Sequence, residues 1–185
     1  MSQRPPACQR VFLCGLPGSG KSTVALQLAA LLGWSAVDLD QAIEVELGRP
    51  VAEIFAELGA GAFRAREREA LGAVCERHEV VVSLGGGSLD HPHNLARVRA
   101  AGMVLWLDAP DSVLAARCGR DPGRRPLLAG DPEQAIVRLR AHRQPILEEA
   151  GPRIETGDIA PAAVAARCLE QLAPGLGGAA RGEQR

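Results

Sequence analysis

The sequence predicts an α/β domain in which a parallel sheet is covered by helices on both faces. Two observations lead to this fold class. Short strand-like segments alternate with longer helix-like segments along the chain, which is the order that a parallel sheet requires. The strand-like segments are also apolar at successive positions, as "VVVSL" shows at residues 80–84. Strands of this kind are buried on two faces.

The elements can be assigned in order from their local patterns. Residues 10–15 form a β-rich apolar run, and residues 21–33 have helical spacing that ends at Gly33, a typical helix stop. Residues 54–58 and 63–78 are predicted as two helices. The remaining predicted strands are residues 35–40, 79–84, 103–109 and 153–156, and the remaining predicted helices are residues 93–102, 112–119, 131–150 and 161–172.

The length and composition predict one globular domain with a short extension at each end. The chain has 185 residues, of which 46% are hydrophobic, and this is enough for a single core. We expect the domain at residues 10–172, a short N-terminal extension at residues 1–9 and a disordered tail at residues 173–185. Residues 119–131 are rich in Gly, Pro and Arg, which predicts a mobile lid rather than a buried connection.

The net charge and the cysteine content indicate which partners and which cellular compartment are expected. A formal net charge of −1 gives no support for a nucleic-acid partner. The five cysteines are odd in number and scattered, which indicates a reducing compartment. The N-terminus does not resemble a signal peptide, and the sequence predicts no membrane span. We therefore expect a cytoplasmic monomer without a membrane or nucleic-acid partner.

The segment "GLPGSGKST" at residues 15–23 matches the phosphate-loop pattern G-x-x-x-x-G-K-S and lies between a predicted strand and a predicted helix. In such a loop, backbone N–H groups and the helix N-terminus face phosphate oxygens. The alternative is a chance glycine turn. Lys21 is the only lysine among the 21 Lys and Arg residues, which indicates a need for a compact ammonium. The ATP-binding candidates here are Gly15, Pro17, Gly18, Ser19, Gly20, Lys21, Ser22 and Thr23.

Two carboxylates, Asp38 and Asp40, follow the second predicted strand. On an extended segment their i, i+2 spacing points both to the same side, at the carboxyl end of a parallel strand where ligands gather. One could hold Mg²⁺, for which the Ser22 hydroxyl is a further ligand, while the other accepts a hydrogen bond from a substrate hydroxyl. The alternative is that one of them caps the following helix. The spacing alone does not assign the roles.

Arginines and glycines supply the other candidate groups. Arg64 and Arg68 are four residues apart on a predicted helix, a pattern that equally fits a solvated charged face. Arg125 lies in the predicted lid and Arg143 in the predicted helix that follows it. Cations in a lid can neutralise a transferring phosphoryl group and help to exclude water. The glycine triplet at residues 85–87 indicates either a sharp turn or a close approach to the backbone.

The ordered set of motifs resembles the shikimate kinase family. The matching stretches are "GLPGSGKST", "VDLDQAIE", "FRARE", "SLGGGS", "RRPLL" and "RQPILEE", and together they extend over about residues 10–172. Only the phosphate loop is specific by itself, whereas the ordered set is highly specific. The resemblance implies transfer of the γ-phosphoryl group of ATP to the 3-hydroxyl of shikimate, a step of aromatic amino-acid biosynthesis. It also implies a nucleoside-monophosphate-kinase-like fold with a central five-stranded parallel sheet.

The resemblance further implies a role for each motif residue. Asp40 would bind substrate hydroxyls and act as the base, and Asp38 would support Mg²⁺. Arg64 and Arg143 would bind the shikimate carboxylate, because a planar guanidinium can meet a carboxylate with two hydrogen bonds. The other implied site residues are Lys21 at the terminal phosphates, Arg125 over the phosphates, Arg117 or Arg120 beside the adenine, and the backbone N–H groups of Gly85, Gly86 and Gly87 beside the acceptor.

Two positions depart from the family pattern. Ala62 stands where an acidic residue commonly precedes "FR", and Ile159 lies in a loop that often carries an arginine stacked on the base. We expect these changes to affect ATP affinity or base selectivity more than the chemistry.

Three other functions share part of the pattern. A gluconate-type sugar-acid kinase would share the phosphate loop without needing the two aspartates, the glycine triplet and both arginines together. A non-catalytic shikimate-binding regulatory module would bind the acid without forming ADP. An idling ATPase would release ADP whether or not an acid is present.

Overall fold

A computed structural model describes residues 9–119 and 131–176 of the chain. Five strands in these residues form one sheet, and they are β1 Arg10–Cys14, β2 Ser35–Asp38, β3 Val80–Ser83, β4 Met103–Asp108 and β5 Arg153–Glu155. Their order is β2-β3-β1-β4-β5, and every neighbouring pair is parallel. The predicted α/β fold with a five-stranded parallel sheet is therefore confirmed.

Helices occupy most of the chain between the strands. A 3₁₀ turn at Ser88–Asp90 follows the glycine triplet. The α-helices of the described residues are α1 Lys21–Leu32, α2 Leu39–Leu47, α3 Val51–Cys75, α4 Pro92–Ala101, α5 Asp111–Gly119, α6 Pro132–Ala150 and α7 Pro161–Leu176.

Alternating residues of the strands pack on opposite faces of the sheet. On β1, Val11 and Leu13 belong to a core with helices α1 and α7, whereas Phe12 and Cys14 belong to a core with helices α3 to α6. Burial of both faces explains why the three central strands, β3, β1 and β4, are apolar at successive positions, whereas the edge strand β2 is only partly buried.

Strand β1 lies at the point where the order of the strands reverses. Its neighbours are β3 on one side and β4 on the other, so the connections that leave these strands diverge at their carboxyl ends. Ligands of open α/β sheets bind in this crevice. The β1–α1 loop, residues 15–20, therefore occupies the place where a phosphate group would be bound.

The second strand is shorter than predicted. It ends at Asp38, and helix α2 begins at Leu39. The Asp38 side chain accepts a hydrogen bond from the backbone N–H of Gln41 at 3.1 Å, which is an N-terminal cap. The prediction that Asp38 and Asp40 share one extended segment is wrong, because the cap starts a helix between them.

Other boundaries also shift. The helices predicted at residues 54–58 and 63–78 both lie in the element α3, where Gly59, with φ 78° and ψ 165°, separates two helical segments as predicted, and the second segment ends at Cys75 rather than at residue 78. Helix α7 continues to Leu176, past the predicted start of the tail at residue 173. Of the predicted lid, residues 120–130 lie outside the described residues, while Gly119 ends α5 and Asp131 caps α6. In the described part of the chain, no helix is both long and apolar enough to cross a membrane.

Candidate active site

The phosphate loop connects the buried end of β1 to the first turn of α1. Gly20 is the residue before α1 and has φ 89°, a backbone conformation that side chains with a β-carbon rarely adopt. The Lys21 ammonium donates hydrogen bonds to the carbonyl oxygens of Gly15 at 3.0 Å and Leu16 at 3.1 Å. The only lysine of the sequence is therefore held across the loop, beside the N-terminus of the helix.

Three oxygen-bearing side chains meet beside this loop. The Ser22 hydroxyl donates a hydrogen bond to Oδ2 of Asp38, and its oxygen lies 3.4 Å from the hydroxyl oxygen of Ser83 at the end of β3. Asp38 thus uses one oxygen to cap α2 and the other to face Ser22, so capping does not exclude a second role. Hydroxyl and carboxylate oxygens are the ligands that Mg²⁺ prefers, so this donor set fits the ion.

A cleft of about 550 Å³ extends from the phosphate loop to helix α6. Its walls include Thr23 and Pro17 from the loop region and two aromatic rings, Phe55 and Phe63, whose centroids are 4.6 Å apart. The polar side chains that line it are Lys21, Ser22, Thr23, Asp38, Asp40, Arg64, Glu67, Ser83 and Arg143. One cleft therefore brings together the phosphate loop, both aspartates and two of the predicted arginines.

Asp40 lies in the first turn of α2 and faces this cleft. Burial is the main reason why its pKa is raised from the usual 3.8 to about 6, and the neighbouring carboxylates of Glu67 and Asp38 act in the same direction. Lys21 and Arg64 oppose the rise only in part. A carboxyl with such a pKa can accept a proton near neutral pH.

Each of the two predicted carboxylate-binding arginines is anchored by an acidic residue. Nη1 of Arg64 donates to Glu67 at 2.5 Å, and Glu67 is 1% exposed. Glu67 also accepts a hydrogen bond of 2.5 Å from the Ser88 hydroxyl. Arg143 contacts Asp90 through Nε and Nη2. Arg68, by contrast, is exposed, so the i, i+4 arginine pair divides into one residue at the cleft and one on the surface.

The glycine triplet lies against these charged groups. A β-carbon on Gly85 would be 2.4 Å from Oδ1 of Asp40, and one on Gly87 would be 2.3 Å from Nη2 of Arg64. Both distances are far below any real contact of a β-carbon. None of the three glycines has a positive φ. Of the two explanations raised by the sequence, close approach to the backbone is therefore the one that this geometry supports.

A second cleft lies between α5 and the loop before α7. It is lined by Ser112, Val113, Ala116, Arg117 and residues 157–160. Arg117 donates to the carbonyl oxygens of Gly18 at 3.2 Å and Thr156 at 3.1 Å, and also to that of Gly157. Its guanidinium therefore forms hydrogen bonds to both the phosphate loop and the loop that contains Ile159. The predicted site residues Arg120 and Arg125 lie outside the described residues.

Two residues contact the predicted site residues but were not themselves predicted to belong to the site. Ser88 is fully buried between Glu67 and Asn94, whose side-chain N–H group donates to the Ser88 carbonyl oxygen at 2.7 Å. Asp90 is the partner of Arg143. Both lie in the 3₁₀ turn that follows the glycine triplet, and Ser88 is the last residue of the motif "SLGGGS", whereas no motif includes Asp90.

A phosphate loop at the strand reversal, with oxygen ligands beside it and an arginine-lined cleft next to it, defines a small-molecule kinase of the phosphate-loop class. The comparisons with known proteins narrow this class. The family model described as shikimate kinase matches residues 17–173. A shikimate kinase of Chlorobium chlorochromatii (strain CaD3) is 43% identical over 79% of this chain and 81% of its own length. The chain therefore belongs to the shikimate kinase family and is an ATP-dependent kinase.

Solved structures agree with this assignment. The structure of shikimate kinase from Acinetobacter baumannii in complex with shikimate is 32% identical and has a TM-score of 0.86, covering 90% of this chain and 94% of that one. A gluconokinase from Sinorhizobium meliloti 1021 has a TM-score of 0.56 and 20% identity, covering 92% of this chain and 94% of that one. The gluconokinase shares the fold alone, so the comparisons favour shikimate kinase over the sugar-acid kinase alternative.

Proposed function

We propose that the chain transfers the γ-phosphoryl group of ATP to the 3-hydroxyl of shikimate and releases ADP and shikimate 3-phosphate. The observation that carries this proposal is the convergence of two guanidinium groups on Gly87. A β-carbon at that residue would lie 2.3 Å from Nη2 of Arg64 and 2.9 Å from Nη2 of Arg143. Two forked donors in one cleft suit a planar carboxylate, and the same cleft contains a phosphate loop.

On the nucleotide side, we assign the phosphates to the β1–α1 loop and to Lys21. Ser22 and Asp38 would hold Mg²⁺, with Ser83 close enough to contact a water of its shell. When bound, this ion supplies positive charge that stabilises the transferring phosphoryl group. Arg117 and the cleft beside Ile159 are assigned to the adenine. The assignment of Arg125 to the phosphates stays a prediction from its motif.

On the acceptor side, we assign the carboxylate of shikimate to Arg64 and Arg143. The hydroxyl groups would contact Asp40 and the backbone N–H groups of Gly85, Gly86 and Gly87. Asp40 is the candidate base because it lies in the cleft between the phosphate loop and the arginines, and because its raised pKa of about 6 allows it to take the proton of the attacking hydroxyl near neutral pH.

The proposal is tested by measuring ADP release with Mg²⁺ and ATP, with shikimate, quinate, gluconate or no acid at matched concentrations. We expect strong ADP release with shikimate, and a phosphorylated product whose ³¹P resonance couples to the proton at carbon 3. Arg143→Ala should raise the KM for shikimate and leave the KM for ATP unchanged, because Arg143 is assigned to the acceptor.

Each alternative predicts a different pattern in the same assay. Equal ADP release without any acid would indicate an ATPase, and release that depends on gluconate would indicate a sugar-acid kinase. Binding of shikimate without ADP formation would indicate a regulatory module. Any of these outcomes would overturn the proposal.

A further inference from the structure

Asp90 and Arg143 form a two-pronged ion pair at the edge of the cleft. Nε of Arg143 lies 3.1 Å from Oδ1 of Asp90, and Nη2 lies 3.0 Å from Oδ2. The Arg143 side chain is only 7% exposed, whereas Asp90 is 30% exposed. The pair connects the 3₁₀ turn after the glycine triplet to the middle of helix α6.

This contact leaves a defined part of the guanidinium for a ligand. A guanidinium has five N–H donors on two usable edges, and Asp90 accepts from the edge formed by Nε and Nη2. The other edge is formed by Nη1 and Nη2. Nη1 lies 3.6 Å from the β-carbon position of Gly86, and both residues line the cleft. Nη1 and the second N–H group of Nη2 are therefore the donors that Asp90 leaves for an acid in the cleft.

The pair also restricts a flexible side chain before any ligand is bound. A free arginine samples many rotamers, and fixing them on binding weakens affinity. Arg64 is restricted in the same way by Glu67. The two arginines and their two acidic partners have no formal net charge together, so these four groups offer an acid oriented donors rather than excess positive charge.

We propose that Asp90 is a positioning residue that presents the Nη1–Nη2 edge of Arg143 to the carboxylate of the acceptor. This inference rests on the proposed function, because it takes the acceptor to be a carboxylic acid bound by Arg143. Asp90 itself does not touch the acceptor. Its removal should therefore weaken acceptor binding through Arg143, with little effect on ATP or on the phosphoryl transfer step.

A competing role for Asp90 predicts a change of the KM for shikimate in the opposite direction. If Asp90 only reduced the positive charge of the cleft, its neutralisation would increase the attraction for an acid and lower the KM for shikimate. If Asp90 orients Arg143, neutralisation releases the guanidinium and raises that KM. The direction of the change therefore decides between the two roles.

The experiment compares Asp90→Asn and Asp90→Ala with the wild-type chain by steady-state kinetics and by calorimetric titration of shikimate. Asp90→Asn keeps the shape of the side chain and removes its charge. We expect an increase of about tenfold in the KM and the Kd for shikimate, with kcat and the KM for ATP changed less than about twofold. Glu149→Gln is the matched control, because Glu149 forms an exposed ion pair with Arg99 between α4 and α6.

A double-mutant cycle separates positioning from general loss of structure. In an Arg143→Ala background, Asp90→Asn should have no further effect on the Kd for shikimate, because the side chain that it orients is gone. An unchanged or lowered Kd in Asp90→Asn, or the same loss in both backgrounds, would overturn the inference while the proposed function stands. If the wild-type chain binds no shikimate, the proposed function and this inference are both overturned.

Discussion

Gly87 and Arg64 lie so close together that a β-carbon on Gly87 would be 2.3 Å from Nη2 of Arg64. The same β-carbon would be 2.9 Å from Nη2 of Arg143. Gly87 is therefore part of the site formed by Arg64 and Arg143, because both guanidinium groups pack against its backbone. Its role is to provide space, since its φ is −115°, a value that other residues also adopt.

Gly87→Ala should damage acceptor binding more than it damages folding. The added methyl group displaces the ends of two long side chains, which can move, so we expect a loss of stability below about 1–2 kcal/mol. The displaced guanidinium groups can no longer converge, and the KM for shikimate should rise at least about tenfold. Kinetics and thermal unfolding of the same preparation measure both effects.

The matched control is Gly61→Ala, which adds the same methyl group in helix α3. Nothing lies within 4 Å of its β-carbon position, and alanine favours a helix over glycine by roughly 0.5–1 kcal/mol. We expect unchanged kinetics and equal or greater stability. An unchanged KM for shikimate in Gly87→Ala would show that the arginines do not need this close approach.

Asp40→Asn should stabilise the free protein at neutral pH while it abolishes most activity. The pKa of Asp40 is raised to about 6 in the folded chain from 3.8. A folded-state pKa above the unfolded value means that the contribution of this group to stability is fully present below about pH 4 and is lost as the pH rises to about 6. Above that pH, the buried charge costs about 2–3 kcal/mol.

Urea unfolding of the metal-free and nucleotide-free proteins measures this effect. We expect similar stability of Asp40→Asn and the wild type near pH 4, and a more stable variant at about pH 7.5. The difference between the two proteins isolates Asp40, because all other titrating groups are common to both. A stability difference that does not change with pH would contradict the raised pKa.

Arg117→Ala should weaken ATP binding without affecting the acceptor. Arg117 donates to carbonyl oxygens of Gly18 and Thr156, so it holds the phosphate loop and the loop before α7 in a fixed relation. We expect the KM for ATP to rise about tenfold, with the KM for shikimate unchanged. Arg117→Lys tests the cause, because an ammonium keeps the charge but not the planar fork. Full activity in Arg117→Lys would indicate that charge alone is needed.

The sequence predicted the sheet and most elements because their causes are local. A strand that is buried on two faces is recognised from its successive apolar residues, and the end of α1 is recognised from Gly33. The boundary after Asp38 was predicted wrongly for a local reason as well, since the cap by that side chain competes with extension of the strand. The predicted break near residue 59 is a single kinked residue, because Gly59 alone leaves the helical conformation.

The partners inside the site could not be predicted in the same way. Arg143 and Asp90 are separated by 53 residues, and a residue at the end of a 3₁₀ turn has no periodicity that shows what it faces. Ser88 is similar, because its burial depends on α3 and α4 closing over the turn. Glu67 is a local partner of Arg64 within the motif "FRARE", whereas Asp90 is recognised as the partner of Arg143 only when distant segments of the chain are brought together.

Lys21→Arg should be nearly as inactive as Lys21→Ala. The ammonium of Lys21 fits between two carbonyl oxygens of the loop, at 3.0 Å and 3.1 Å, where a wider planar guanidinium would have to displace the backbone. Since this chain otherwise uses only arginine as its long-chain cation, a bias in composition predicts that arginine would be acceptable here, and the geometry predicts the opposite.

We expect kcat to fall by at least about 10²-fold in both variants, because a preorganised charge at the transferring group is lost, while the KM for shikimate stays within about twofold. Arg68→Lys is the control, because it exchanges the two cations in the opposite direction at an exposed residue. This variant should retain full activity. High activity in Lys21→Arg would mean that the loop accepts either cation and that the single lysine reflects composition rather than the geometry of the loop.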